Sequence, residues 1–179
     1  AQSQLYNDDT ELTLMLLADS GYGQGEILTT PLQMAVMFCA FANGGNIMQP
    51  YIVDGLYETE GIKYNNVSKA SPKVWKGGVI EQHSLDVIVP YLKDVVDHSL
   101  NGTGRSLKVT SVTVAAKTGT AEIGNDKSRQ ISWFAGFRCG VEDKDARLVL
   151  VMLEVPTTDE YASLKFDIAR EMLKMSASR

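Results

Sequence analysis

Lys117-Thr118-Gly119-Thr120 closes an alternating run, Val109-Thr110-Ser111-Val112-Thr113-Val114-Ala115-Ala116. The alternation reads as a β-strand, so the four residues are expected near the end of a strand and not in a loop. Lys117 brings a positive charge, and Thr118 and Thr120 bring hydroxyls. Gly119 has no side chain, so a ligand can approach the backbone closely. Such a strand can bind a carboxylate and offer a backbone N–H to a developing oxyanion. Short patterns of this kind recur by chance, so the weight falls on what surrounds them.

The chain has 179 residues, 44% of them hydrophobic, enough for one domain with a sizeable core. Its net charge of −5 does not indicate a nucleic-acid surface. No stretch approaches the roughly 18 apolar residues that a membrane span needs. The only histidines are His83 and His98 and the only cysteines Cys39 and Cys139, so no metal site is expected. The two cysteines read as one buried thiol and one incidental thiol rather than a bridge.

Asp8 to Leu17 reads as a short helix after a loose lead-in over residues 1–7, with Asp8 or Asp9 at its positive end. Ala18 to Glu26 is punctuated by Gly21, Gly23 and Gly25. No strand precedes these glycines and the dinucleotide-binding spacing fails, so they read as a tight turn. Thr30 suits an N-cap and Pro31 the first helical position. That helix runs to about Ala42 and stops at Asn43-Gly44-Gly45. Leu32, Met34, Val36, Met37, Phe38, Cys39 and Phe41 are apolar on every side, which predicts burial all round.

Residues 50–68 read as a hairpin turning at Glu60-Gly61, and 69–80 as a loop. A second helix is expected from Ser84 to about His98, with Pro90 kinking it or shifting its start. Leu85, Ile88, Val89, Leu92, Val95 and Val96 would give it one buried face. Ile131–Phe137 reads as a strand. Arg147–Val155 is apolar enough for the centre of a sheet. A closing helix is expected from about Tyr161 to Met175. The sum is an α+β arrangement, an antiparallel three-strand meander with helices against it.

The ordered set of Gly21-Tyr22-Gly23-Gln24-Gly25, Thr29-Thr30-Pro31-Leu32-Gln33-Met34-Ala35, Lys117-Thr118-Gly119-Thr120 and Ser132-Trp133-Phe134-Ala135-Gly136-Phe137 resembles the C-terminal half of a transpeptidase domain. The domain is that of high-molecular-weight penicillin-binding proteins, class B, and the resemblance runs from about Asp8 to the end of the chain. It implies the serine β-lactamase and penicillin-binding transpeptidase fold, with residues 1–179 forming the C-terminal portion of one domain. It implies serine-type transfer of a D-Ala-D-Ala stem peptide in peptidoglycan cross-linking, β-lactam binding and no cofactor. A serine β-lactamase and a non-catalytic β-lactam sensor are the alternatives within the fold.

By the same resemblance, Lys117 helps place the substrate carboxylate and assists proton transfer. Thr118 and Thr120 bond that carboxylate, Gly119 lies against the substrate, and the Thr120 N–H is half of the oxyanion hole. The family's serine carries a lysine three residues later. No serine here does; Ser163-Leu164-Lys165 misses by one. Ser99-Leu100-Asn101 and Tyr64-Asn65-Asn66 match the family's second motif in form but come after the glycine loop instead of before it, and read as chance. The nucleophile is therefore expected outside these residues, as is any anchor to the extracytoplasmic face of the membrane. The strand at Arg147–Val155 would then lack a neighbour, so the chain would travel with the rest of the domain or self-associate.

Overall fold

The computed structural model describes residues 3–4, 11, 13–25, 27–97, 101–107, 109, 111–124, 126–142, 145–158, 161 and 163–175. In chain order the elements are helix α1 (Leu14–Gly21), helix α2 (Pro31–Ala42), and strands β1 (Ile47–Met48), β2 (Gly55–Glu60), β3 (Lys63–Lys69) and β4 (Val74–Lys76). Helix α3 (Gln82–Asp97), a 3-10 turn (Arg105–Leu107), strands β5 (Thr113–Ile123), β6 (Arg129–Cys139) and β7 (Leu148–Pro156), and helix α4 (Leu164–Lys174) follow.

The meander β5-β6-β7 is antiparallel throughout and organises the molecule. Because side chains alternate along a strand, each face of the sheet carries its own core. Val114, Ala116, Phe134, Val149 and Val151 pack with Leu107 and with Phe166, Ala169 and Leu173 of α4. Ala115, Ala135 and Phe137 form the opposite cluster with Phe38 of α2 and Leu92 of α3. The Phe134 ring meets Phe166 edge-on at 6.0 Å, and Phe38 meets Phe137 at 5.8 Å. Such aromatic pairs add to the area that they bury. Phe134 is fully buried, and its truncation to alanine would cost about 3–5 kcal/mol.

Helix α2 begins where its capping signals place it, with the Thr30 side chain accepting from the Gln33 N–H and Pro31 in the first turn. It is not buried all round, however. Only Phe38 and Ala40 are buried, while Leu32 is 60% and Met37 50% exposed. The helix packs against the sheet on one side, and its equally apolar outer side meets no partner among the described residues. Helix α1 starts at Leu14, capped by Thr13, and takes in the first part of the expected glycine turn. The expected start at Asp8 or Asp9 and the lead-in, apart from Ser3 and Gln4, lie outside the described residues.

The hairpin β2–β3 turns at Gly61-Ile62, and Tyr51–Val53 stay outside it. The expected loop at 69–80 contains β4, which pairs with β1. Both strands are too short for a local pattern to reveal. Pro90 lies inside α3, which starts at Gln82 without a cap at Ser84; His98 falls outside the described residues. The larger correction concerns β5. It starts at Thr113 and runs to Ile123, so Lys117-Thr118-Gly119-Thr120 occupies the middle of a strand, not its end.

Candidate functional site

Along β5 the burial changes abruptly. Val114, Ala115 and Ala116 are buried, whereas Lys117 and Thr120 are exposed. The strand enters the molecule as core and leaves it as surface, and the four motif residues stand at the transition. Their register on β6 is Lys117 opposite Ala135, Thr118 opposite Phe134, Gly119 opposite Trp133 and Thr120 opposite Ser132. No strand pairs with the other side of β5 among the described residues.

That open edge decides which backbone groups can meet a ligand. In an antiparallel ladder each residue directs its N–H and C=O to the same side, and successive residues alternate. The Thr120 carbonyl accepts from Gln24 Nε2 at 3.3 Å, and the Thr118 carbonyl accepts from Lys117 Nζ at 2.6 Å. Both donors reach the strand from outside the ladder. The N–H groups of Thr118 and Thr120 therefore face the open edge, while Lys117, Gly119 and Ala121 pair with β6.

The side chains divide between the faces. Lys117 and Gly119 share the α2 side with Ala115, and Thr118 and Thr120 share the α4 side with Val114 and Ala116. The Thr118 hydroxyl bonds the Thr103 hydroxyl at 2.8 Å, tying the motif to the turn after α3. A methyl group added to Gly119 would meet Trp133 Cβ at 3.5 Å, an ordinary contact. The chain's own packing thus leaves room there.

Beside the motif lies an open cleft of about 420 Å³, lined by Lys117, Thr118, Gly119 and Thr120 together with Tyr22, Gly23, Met37, Phe38 and Trp133. The glycine turn therefore contributes directly, although its spacing alone argues only for a turn. Gly23 and Gly25 take φ of +81° and +78°, which explains the residue type. Asp19 organises the turn: its carbonyl accepts from the Gln24 N–H at 2.9 Å, and its carboxylate accepts from the Tyr22 hydroxyl at 2.6 Å. That hydrogen bond, with smaller contributions from desolvation and the carboxylate charge, raises the Tyr22 pKa above its ordinary value.

Two further groups were not legible beforehand. Lys165 of α4 is buried, and its pKa is lowered by burial first and by the Lys117 charge second. Ser132, opposite Thr120, is also buried. Tyr64-Asn65-Asn66 lies in the exposed hairpin, away from the cleft lining. Ser99 and Leu100 lie outside the described residues. Cys39 and Cys139 are both free and line a single separate cleft with Lys93. Among the described residues no group of three or more His, Cys, Asp or Glu could hold a metal ion.

Residues 6–174 match the family model described as the penicillin binding protein transpeptidase domain. Penicillin-binding protein 3 of Bacillus subtilis is 31% identical over 157 residues, 86% of this chain and 21% of that protein. The peptidoglycan D,D-transpeptidase PbpA of Mycolicibacterium smegmatis is 31% identical over 137 residues, 75% of this chain and 26% of that protein. The chain thus spans about a fifth to a quarter of the length of these curated relatives. Among solved structures, penicillin-binding protein A of M. tuberculosis, in its imipenem acyl-enzyme complex, superposes with a TM-score of 0.69 at 21% identity. That superposition covers 97% of this chain and 36% of that one, a likeness of fold.

Proposed function

The chain belongs to the penicillin-binding protein transpeptidase domain family, and from that premise we propose that it forms one wall of a peptidoglycan D,D-transpeptidase active site. The observation that carries the proposal is the open edge of β5, where the Thr120 N–H faces outward beside Lys117 and above an open cleft.

The reaction is acyl transfer. A serine from residues outside these 179 attacks the carbonyl of the penultimate D-Ala of a stem peptide. The carbonyl oxygen becomes an oxyanion, which the Thr120 N–H stabilises together with the serine's own N–H. Collapse expels the terminal D-Ala as an amine and leaves an acyl-serine ester. The amine of a neighbouring peptide attacks that ester and restores the serine. Lys117 and the hydroxyls of Thr118 and Thr120 hold the terminal carboxylate, and Lys117 assists proton transfer. A β-lactam enters by the same route, its ring amide replacing the scissile peptide bond. The place of action is the extracytoplasmic face of the bacterial membrane, with the anchor on another part of the protein. Among the described residues no helix is long and apolar enough to cross a membrane.

Fluorescent penicillin labelling, read by denaturing electrophoresis, tests the assignment. The full-length protein is expected to label stoichiometrically, and residues 1–179 alone not at all. No label on the folded full-length protein overturns the transpeptidase reading, and a label on the 179-residue chain overturns the division of the site. Rapid release of the label would identify a β-lactamase. Stable label with no cross-linking of stem peptides would identify a sensor.

A further inference from the structure

Thr120 meets the open edge of β5 with both of its backbone groups, while Gly119 and Ala121 on either side pair with β6. The ladder therefore does not hold Thr120 itself. Its N–H cannot be tethered without being consumed, because a donor for an oxyanion has to stand free until the charge develops. Its carbonyl can be tethered, and it accepts from Gln24 Nε2 at 3.3 Å. A carbonyl only accepts, so the group of Gln24 that faces it is the amide NH2.

The glycine turn holds Gln24 at its root. The Gln24 N–H donates to the Asp19 carbonyl at 2.9 Å, and the same carbonyl takes the Tyr22 N–H at 3.3 Å. The Gly23 N–H donates to the Ser20 carbonyl at 3.1 Å. Gly23 and Gly25 flank Gln24 with positive φ, and a Cβ at Gly25 would come within 3.4 Å of Asp19 Cβ. The backbone of Gln24 is thus clamped against the end of α1, and its half-buried side chain reaches from there to β5. At the other end of the segment the Thr118 hydroxyl bonds the Thr103 hydroxyl at 2.8 Å. The stretch from Thr118 to Thr120 is fastened at both ends, and its N–H groups face outward.

We propose that Gln24 is a positioning residue for the oxyanion donor: by holding the Thr120 carbonyl, it fixes the direction in which the Thr120 N–H points. The proposal rests on the transpeptidase reading and extends it to a residue outside the motif. A donor that is already aimed need not reorient as the negative charge develops, which is the source of its effect. An edge strand has no neighbouring strand to supply that order, so a side chain supplies it. Tyr22 and Gly23 line the cleft, whereas Gln24 stands behind them and acts through Thr120. Its effect therefore falls on the rate of acylation and not on the binding of the ligand.

The test uses the full-length protein and measures acylation by benzylpenicillin against its concentration. Gln24→Met keeps the length of the side chain and removes the donor. It is expected to lower the limiting acylation rate about tenfold, with the half-saturating concentration within about twofold. Gln24→Lys, which again offers a donor to the carbonyl, should restore most of the rate. In the Thr120→Pro background the oxyanion donor is already gone, so adding Gln24→Met should cost less than about twofold more. A full tenfold loss in that background, a rise in the half-saturating concentration in place of a slower rate, or no effect of Gln24→Met would overturn the role of Gln24 and leave the transpeptidase reading intact. Failure of the folded, unaltered protein to acylate would overturn both. Should Gln24→Met fold poorly by its melting curve, Gln24→Glu, which keeps the size and cannot donate when ionised, is read in the same way.

Discussion

At Thr120 the side chain and the backbone have separate tasks, and proline separates them experimentally. The Thr120 N–H faces the open edge of β5, so Thr120→Pro removes a donor without breaking the β5–β6 ladder. Acylation of the full-length protein is expected to fall by about two orders of magnitude, with the melting temperature little changed. Unchanged acylation would exclude Thr120 as an oxyanion donor. Lys165 makes the opposite kind of prediction. Burial and Lys117 depress its proton affinity in the folded chain, so the unfolded chain binds that proton more readily. Stability on this account rises with pH between the folded value and the ordinary lysine value of 10.5. Lys165→Met should therefore melt higher than the unaltered chain near pH 7, and the difference should shrink as the pH is raised towards 10.5. A constant difference across that range would refute the account. The motif residues were legible because their types and order carry the chemistry. Lys165 was not, since only the docking of α4 makes a lysine beside Ser163-Leu164 a buried one.

Among the elements, those with strong local signals were legible. Thr30 and Pro31 set the start of α2, and the apolar runs set β6 and β7. The extent of β5 was misplaced because its polar second half, Lys117 to Ile123, is a strand through pairing with β6, not through its own alternation. The same pairing makes two glycines unequal. At Gly136 a Cβ would stand 2.7 Å from Phe134 Cζ and 3.2 Å from Ala116 Cβ. Gly136→Ala is thus expected to cost about 1–3 kcal/mol by overpacking. Gly119→Ala, with 3.5 Å to Trp133, should stay within about 0.5 kcal/mol of the unaltered chain. Urea unfolding of both variants checks the contrast, and equal losses would contradict it.

The whole molecule presents a sheet whose two outer strands each lack a neighbour among the described residues, with α1 and the outer side of α2 exposing apolar side chains. Leu14 is 87% and Met15 76% exposed, surfaces that soluble monomers seldom group together. We expect the 179-residue chain on its own to associate with itself, β7 serving as the template because its row of backbone groups is flanked by apolar residues. Light scattering after size exclusion should show mass rising with concentration, and Met152→Lys on β7 should suppress the rise. A folded monomer at every concentration would refute the expectation. The α+β layering was legible from the order of the helical and strand patterns. The half-empty environment of α2 was not, because composition shows that a helix is apolar but not what covers it.

The hydrogen bond from Gln24 to Thr120 joins residues 96 positions apart, and this separation has a kinetic meaning. The β5-β6-β7 meander is made of neighbouring hairpins, which close quickly, whereas a contact so distant along the chain must first overcome a large loop entropy. The motif strand is therefore expected to form before the glycine turn docks onto it. On that order the wall of the cleft is expected to form late, and a ligand that requires it should bind only chains whose glycine turn has docked.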